Sequence, residues 1–130
     1  MKRIGILSDT HGYLDPKIFD HFKDVDEIWH AGDVGDIHVI EQLRKFKPVI
    51  RGVYGNIDDQ SVRLEFPEFQ SFTVENIKVL MTHIAGKPGK YVERAHDAIK
   101  KEKPKLFICG HSHILLVKND PNYNMLWMNP

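Results

Sequence analysis

Over the first 50 residues, short apolar runs typical of buried strands alternate with segments that have helix signals. Short compact apolar runs, which predict buried strands, lie at residues 3–7 and 27–30 and begin again at residues 48–50. Residues 37–46 carry an apolar side chain at every third position, which predicts a helix. Residues 16–22 predict a further helix, because Pro16 takes the favoured first helical position. The order strand, helix, strand, helix, strand predicts a parallel sheet.

The pattern changes in the second half of the chain, where strands follow one another more closely. The predicted elements are a hairpin of residues 72–74 and 78–81, a helix at 91–102, and strands at 105–109, 115–118 and 125–128. Asn76 suits the hairpin turn over residues 75–77, and Pro104 ends the helix. We therefore expect an α/β protein in which antiparallel strands make the sheet mixed.

Composition narrows the class of protein. The 130 residues suit one domain with its own core, so we expect a single domain over residues 1–130. Eighteen basic residues balance eighteen acidic ones, which argues against nucleic acid or a membrane surface as a partner. The apolar residues 4–7 are too short for a signal sequence and no run approaches the roughly 20 residues of a membrane span, so we expect a cytoplasmic protein. Cys109 lies in an apolar run and is expected to be a buried, inert thiol.

Side chains that bind metals follow several of the predicted strands. These residues are Asp9, His11, Asp33, Asn56, His83, His111 and His113. Because the carboxyl ends of parallel strands meet at one edge, a parallel sheet is expected to bring the whole set to that edge. Glycines at positions 32, 55 and 110 allow sharp turns and a close approach of the backbone. The sequence therefore predicts a site that holds two metal ions.

Spacing suggests a place for individual members of this set. Asp9 and His11 are alternate residues, and side chains two apart in an extended segment face the same side, so both are expected to face one ion. The same reasoning applies to His111 and His113. Asp33 is expected to bridge the two ions, because a carboxylate has two oxygens to share.

Other residues near the motifs have two interpretations each. Asp36 and Asp58 either orient the metal ligands or form helix caps and solvated turns, and Asp36 stands where an N-cap is expected. Lys87, Lys90 and Arg51 either meet a substrate phosphate or are solvated. Three more histidines are expected on helix surfaces or in packing positions: His21, His30 and His96. Five aromatic residues are expected to lie in the core or to cover the sheets: Trp29, Phe66, Phe69, Phe107 and Trp127.

The ordered series of motifs resembles the signature of the calcineurin-like metallophosphoesterases. The series is Asp9-x-His11, Gly32-Asp33, Gly55-Asn56, His83 and Gly110-His111-Ser112-His113. The segment His30-Ala31-Gly32-Asp33 and the short chain resemble the small bacterial and archaeal phosphodiesterase branch of that family. The resemblance implies an α/β sandwich of two mixed β-sheets flanked by helices, in four layers. It also implies two ligand groups, Asp9, His11, Asp33 and His113 for one ion and Asp33, Asn56, His83 and His111 for the other.

The resemblance further implies a metal-dependent phosphoesterase, and more specifically a phosphodiesterase. In such an enzyme a hydroxide that bridges two divalent metal ions attacks the phosphate ester, and no side chain is the nucleophile. Manganese is the favoured metal, with zinc, iron, nickel and cobalt as alternatives. The expected partner is a small-molecule phosphate ester, and a homo-oligomer is left open. Two other functions stay open, a catalytically silent protein-binding scaffold of the same fold and a nuclease.

Two features depart from the wider family. Ile57 stands where many relatives have a histidine that is thought to assist the transition state or the leaving group. Isoleucine cannot transfer a proton, so we expect a stronger dependence on leaving-group acidity, although the small phosphodiesterase branch also lacks this histidine. The sequence ends at Asn129-Pro130, whereas family members continue, and we expect the domain to lack the family's C-terminal strands.

Overall fold

The computed structural model describes all of residues 1–130 and has the expected α/β composition. In chain order the elements are β1 (Ile4–Leu7), α1 (Lys17–His21), β2 (Glu27–His30), α2 (Ile37–Phe46), β3 (Val49–Gly52), α3 (Gln60–Glu65), β4 (Phe69–Val74), β5 (Ile77–Thr82), β6 (Gly86–Lys87), β7 (Lys90–Tyr91), α4 (Glu93–Glu102), β8 (Leu106–Ile108), β9 (Leu116–Asp120) and β10 (Met125–Asn129). The order strand, helix, strand, helix, strand in the first part of the chain is confirmed. None of the four helices has the length and apolarity needed to cross a lipid bilayer.

The strands form two main sheets and one small hairpin. β1, β2 and β3 pair in that order and are parallel throughout. The larger sheet has the order β4-β5-β8-β10-β9, with parallel pairs at its centre and an antiparallel pair at each edge. β6 and β7 pair only with each other. The α/β sandwich is therefore confirmed, with the difference that only the larger of its two main sheets is mixed.

Three buried clusters establish four layers. Trp29 of β2 and Met81 of β5 belong to a cluster between the two main sheets. Leu43 of α2 belongs to a cluster on the outer face of the small sheet, and Ile99 of α4 packs with Phe107 on the outer face of the large sheet. Of the aromatic residues expected in the core, Trp29, Phe66, Phe107 and Trp127 are buried, and Phe69 is partly buried.

Local pairing moves several predicted boundaries. The hairpin turn is only Glu75 and Asn76, which have φ angles of 48° and 67°, and Ile77 belongs to β5. Residues 90–91 pair with residues 86–87, so α4 begins at Glu93 rather than at residue 91. The sequence pattern does not predict α3, which has six residues.

The carboxyl ends of strands from both main sheets meet at one end of the sandwich. The turns after β1, β2 and β3 come from the small sheet, whereas those after β5 and β8 come from the large sheet. The expectation that one parallel sheet carries the whole set of metal-binding side chains is therefore wrong. The set converges because two sheets pack face to face with these strand ends aligned.

Candidate metal centre

Hydrogen bonds tie the turns at this end of the sandwich together. The N–H of His11 donates to the carbonyl of Asp33 over 3.0 Å, which joins the turns after β1 and β2. The N–H of His111, after β8, donates to Oδ2 of Asp9 over 3.2 Å and so connects the two sheets. The backbone hydrogen bonds of these turns therefore help to position the side chains of the site.

Two buried carboxylates lie at the middle of the site. The side chains of Asp9 and Asp33 are 7% and 3% exposed. Nε2 of His113 is 3.3 Å from Oδ1 of Asp9, and Nε2 of His11 is 3.6 Å from Oδ2 of Asp33. Nε2 of His83 lies near both, 3.7 Å from Oδ1 of Asp9 and 3.1 Å from Oδ2 of Asp33. Both carboxylates therefore face imidazole nitrogens.

The ligand atoms form two overlapping groups. Within each group every atom lies within 4.8 Å of the others, and the groups are Asp9, His11, Asp33 and His113, and Asp33, His83 and His111. Asp33 belongs to both groups, which is the position that a bridging carboxylate needs. Oδ1 of Asn56 lies 3.0 Å from Nδ1 of His111 and thus beside the second group. The structure brings all seven residues of the sequence pattern together.

Two buried polar atoms in this site have no hydrogen-bond partner, Oδ1 of Asp9 and Nε2 of His83. Nδ1 of His83 lies 2.8 Å from the carbonyl of Ala31, which can only accept, so Nδ1 carries a proton and Nε2 is the nitrogen that faces the carboxylates. Nε2 lies 3.1 Å from Oδ2 of Asp33, so a single cation could contact both atoms. Buried polar atoms are nearly always paired, so the two atoms without partners fit a bound metal ion. Imidazole, carboxylate and amide donors suit divalent transition metals.

Five of the seven residues have left-handed backbone conformations. Their φ angles are 56° at Asp9, 50° at His11, 56° at Asp33, 76° at His111 and 61° at His113. The expectation that alternate residues converge because they lie in an extended segment is therefore wrong, since these segments are turns. Residues with a Cβ seldom adopt positive φ, although aspartate and histidine do so more than most, and such strain concentrates at functional sites.

Glycines make room for the ligands, as the sequence predicts. A Cβ on Gly32 would lie 2.6 Å from Nδ1 of His83, and one on Gly110 would lie 2.9 Å from Oδ2 of Asp9. A Cβ on Gly55 would collide with the carboxylate and the backbone of Asp33. Any side chain at these three positions would displace a residue of the site.

Comparison with known proteins decides the family. The calcineurin-like phosphoesterase superfamily domain matches residues 1–130. The chain belongs to this superfamily. A probable metallophosphoesterase of Methanocaldococcus jannaschii is 32% identical over an alignment 138 residues long, which covers 98% of this chain and 66% of that protein. A phosphodiesterase of the same organism is 29% identical over an alignment 126 residues long, which covers 85% of this chain and 73% of that protein. The chain thus spans about two thirds of the length of the first relative and somewhat more of the second.

Solved structures agree with this assignment. A novel archaeal phosphodiesterase superposes with a TM-score of 0.79 at 28% identity, covering 100% of this chain and 83% of that one. Vps29 of Chaetomium thermophilum superposes with a TM-score of 0.80 at 14% identity, covering 98% of this chain and 69% of that one, which shows a common fold alone. The four-layer fold and the family expected from the motifs are confirmed.

Asp58 ties two of the ligand turns of this phosphoesterase domain together. Its carboxylate is buried and accepts three backbone N–H groups, from Val34 over 3.1 Å, Gly35 over 2.7 Å and Gly55 over 2.8 Å. Two of these donors directly follow Asp33, and the third directly precedes the amide ligand of the pattern. These contacts match the interpretation of Asp58 as a residue that orients the site.

His30, expected only to pack, also supports the turns of the site. It is fully buried, and its Nδ1 accepts the N–H of Gly32 over 3.1 Å. The Thr10 hydroxyl donates to the carbonyl of Val34 over 2.9 Å, so its contact with Nε2 of His30, at 3.0 Å, makes Nε2 the protonated nitrogen. Burial lowers the pKa of this neutral imidazole to about 4. Two sequence features point to it, its position at the end of a buried strand and its place in the segment His30-Ala31-Gly32-Asp33 that resembles the family.

Two short polar side chains outside the sequence pattern also support the site. Ser8 Oγ donates to Oδ2 of Asp9 over 2.7 Å. Asn129 is buried, and its Nδ2 donates to the carbonyl of Gly110 over 3.0 Å and to Oγ of Ser112 over 2.8 Å. Neither residue has a local sequence signal that distinguishes it from ordinary turn or strand residues.

The remaining candidates make no hydrogen bond to the carboxylates of Asp9 and Asp33. Asp36 accepts the N–H of His38 over 2.9 Å and caps α2, the second of its two interpretations. Arg51 donates to Glu27 over 3.1 Å rather than facing the site. Cys109 is buried, as expected, and burial raises the pKa of its thiol to about 12. The other two histidines expected outside the site are His21, which is exposed, and His96, which lies 2.6 Å from the Tyr123 hydroxyl.

Proposed function

We propose that this chain is a metal-dependent phosphodiesterase with a dinuclear centre. One ion would be held by Asp9, His11, Asp33 and His113, and the other by Asp33, Asn56, His83 and His111. The observation that carries the proposal is the pair of buried atoms without partners, Oδ1 of Asp9 and Nε2 of His83, among converging carboxylates and imidazoles. Family membership and the phosphodiesterase relative support the reaction class.

The ions, when bound, would bring positive charge to the oxygens of a phosphate ester and activate water for attack. The chain's own groups set the geometry for this chemistry. The N–H of Ile57 donates to Oδ1 of Asp33 over 3.2 Å and so fixes the rotation of the carboxylate, with Oδ2 towards the imidazoles. His11 and His113 have side chains that are 43% and 56% exposed, so they mark the side from which a substrate approaches. The buried Cys109 thiol is unsuited to attack, in keeping with water as the nucleophile.

A diester is the proposed substrate in preference to a monoester, because a relative in Methanocaldococcus jannaschii and a solved archaeal structure are phosphodiesterases. Ile57 is 45% exposed beside Asn56, and its side chain can neither donate nor accept a proton for the departing oxygen. Departure of that oxygen would therefore depend on the acidity of the leaving alcohol. Manganese is the metal we favour, with zinc, iron, nickel and cobalt as alternatives for this donor set.

A protein-binding scaffold and a nuclease are the alternative functions. The scaffold has some support from the fold, which Vps29 shares. The two atoms without partners favour a metal site, which a scaffold of this fold can share, because Vps29 of Entamoeba histolytica has been solved in complex with Zn²⁺. The phosphodiesterase relative favours the enzyme. Balanced charge, with 18 basic and 18 acidic residues, disfavours the nuclease.

Metal analysis combined with hydrolysis assays tests the proposal. The purified protein is expected to retain two equivalents of divalent metal and to hydrolyse bis(p-nitrophenyl) phosphate faster than p-nitrophenyl phosphate. Asp33→Asn and His83→Gln are expected to lose metal and turnover together. Asp36→Asn and His38→Gln are matched controls, because each removes the same type of group from an exposed position next to the site.

The outcomes separate the three functions. Turnover that survives both Asp33→Asn and His83→Gln would reject the proposed centre. Normal folding without turnover of either ester, with or without metal uptake, would favour the scaffold, and salt-sensitive binding to oligonucleotides would favour the nuclease.

A further inference from the structure

A cavity of about 440 Å³ opens beside the metal centre next to His111. Its wall comes from the β6–β7 hairpin, the turn after β8 and the strands β9 and β10. This volume falls within the roughly 300–1,000 Å³ of small-molecule pockets. A second cavity, beside Asn56 and His83, has only about 190 Å³. A diester with its phosphate at the centre therefore has more room for a substituent beside His111.

The larger cavity has an unbalanced positive charge. Lys87 and Lys90 line it, neither forms a salt bridge, and no aspartate or glutamate lines it. The smaller cavity differs, because its Arg94 is paired with Glu68 over 2.6 Å. Of these two cavities, only the larger thus has positive charge that is not paired in a salt bridge.

The two lysines face each other across the hairpin. Lys87 of β6 and Lys90 of β7 are register partners, so their side chains leave the same face of the two strands. Like charges directly opposite each other destabilise a strand pair. An anion bound between the two ammonium groups would turn this unfavourable pair into a binding site.

The rest of the wall suits an organic group. Ile114, Leu116 and Trp127 give it apolar surface.

We infer that this cavity binds one alcohol component of the phosphodiester, and that this component carries a second phosphate group. The apolar wall would hold the organic body, and Lys87 and Lys90 would bind the second phosphate. This inference rests on the proposed function and names the substrate class of the same site. The two lysines determine specificity and have no part in the chemical step.

Two esters that release the same leaving group test this subsite. Thymidine 5′-(p-nitrophenyl phosphate) and its 3′-phosphorylated form differ only in the second phosphate, and both release p-nitrophenolate. The 3′-phosphate is expected to raise kcat/KM about tenfold, mainly through KM, because two partly exposed ion pairs form. In the K87M/K90M variant the ratio between the two esters is expected to fall to about one. K17M/K45M, which removes two exposed lysines from α1 and α2, is expected to keep the wild-type ratio.

Calorimetric binding provides a readout that does not depend on turnover. Thymidine 3′,5′-bisphosphate is expected to bind the wild type about tenfold more tightly than thymidine 5′-phosphate, and K87M/K90M is expected to lose that difference.

A ratio near one in the wild type, a ratio kept in K87M/K90M, or an equal loss in K17M/K45M would overturn the subsite. Hydrolysis of the ester without the 3′-phosphate would in those cases leave the proposed phosphodiesterase standing. Hydrolysis of neither ester would overturn both.

Discussion

Removal of the Asp58 carboxylate is expected to destabilise the fold. Asp58→Ala leaves three backbone N–H groups without an acceptor, those of Val34, Gly35 and Gly55. Each unsatisfied buried donor costs about 1–3 kcal/mol. The bond to Gly35 is only partly buried, so water replaces it in part. We therefore expect the free energy of unfolding to fall by about 3–5 kcal/mol.

The same substitution is expected to weaken the metal centre. Asp58 joins the turn that follows Asp33 to the turn that contains Asn56, and groups that position metal ligands are worth about 10- to 100-fold in affinity. Denaturant unfolding with a chelator present measures the loss of stability. Calorimetric titration with manganese measures the loss of affinity. Asp58→Asn keeps an acceptor oxygen and is expected to fall between Asp58→Ala and the wild type in both measurements.

Asp59→Ala is the matched control for this prediction. Asp59 is adjacent in sequence, caps α3 by accepting the N–H of Val62 over 3.3 Å, and makes no contact with the ligand turns. Loss of the cap is expected to cost about 1 kcal/mol and to leave metal affinity unchanged. The reasoning fails if Asp58→Ala is no more destabilising than Asp59→Ala, or if it unfolds more easily yet binds manganese as tightly as the wild type.

Three further predictions concern the effect of pH on stability, the close packing at Gly110 and the leaving group of the ester. The pKa of His30 is about 4 in the folded protein and 6.5 in the unfolded chain, so the unfolded chain binds the proton more readily. The free energy of unfolding is therefore expected to fall by up to about 3 kcal/mol as the pH drops from 6.5 towards 4. Denaturant unfolding of a His30→Gln variant should show a weaker dependence on pH over that range. Gly110→Ala places a Cβ 2.9 Å from Oδ2 of Asp9 and is expected to lower manganese affinity in a calorimetric titration, and unchanged affinity would contradict the close packing of this turn. Hydrolysis is expected to slow steeply as the leaving group changes from aryl to alkyl, and Ile57→His is expected to reduce this dependence. Equal rates for aryl and alkyl diesters, with chemistry rate-limiting, would contradict the proposed effect of Ile57.

The elements that could be predicted from the sequence are those with a strong local pattern. α2 has the predicted bounds, because its apolar residues recur on one face and Asp36 caps its first turn. β2 is buried along its whole length and also has the predicted bounds. α3 depends instead on the Asp59 cap and the burial of Val62, and six residues are too few to establish a period. The hairpin of β6 and β7, with two residues in each strand, was missed for the same reason.

The members of the candidate site could be predicted because their residue types and order are local features of the sequence. The contacts through which Asp58 and His30 hold them in place could not be predicted. The Asp58 carboxylate accepts N–H groups 23 and 24 residues earlier in the chain, and such a contact depends on how β2 and β3 pair. His30 likewise contacts Thr10, 20 residues earlier, through the pairing of β1 with β2. Strand pairing, which periodicity does not specify, decides both contacts.

Three features of the candidate centre lower the stability of the fold, and they are concentrated around the carboxylates of Asp9 and Asp33. Residues with a Cβ adopt left-handed conformations on both sides of the sandwich end, as at Asp33 and His111, and two buried atoms lack partners. The carboxylates of Asp9 and Asp33, which have oxygens within 4.8 Å of each other, add electrostatic repulsion when no cation is present. A ligand that binds only the folded chain stabilises it in proportion to its affinity, so the proposed ions would offset all three features at once. A turn sequence such as Gly32-Asp33 indicates that the chain bends there, but it does not explain why a strained, buried carboxylate is tolerated. The proposed metal ions would supply that explanation.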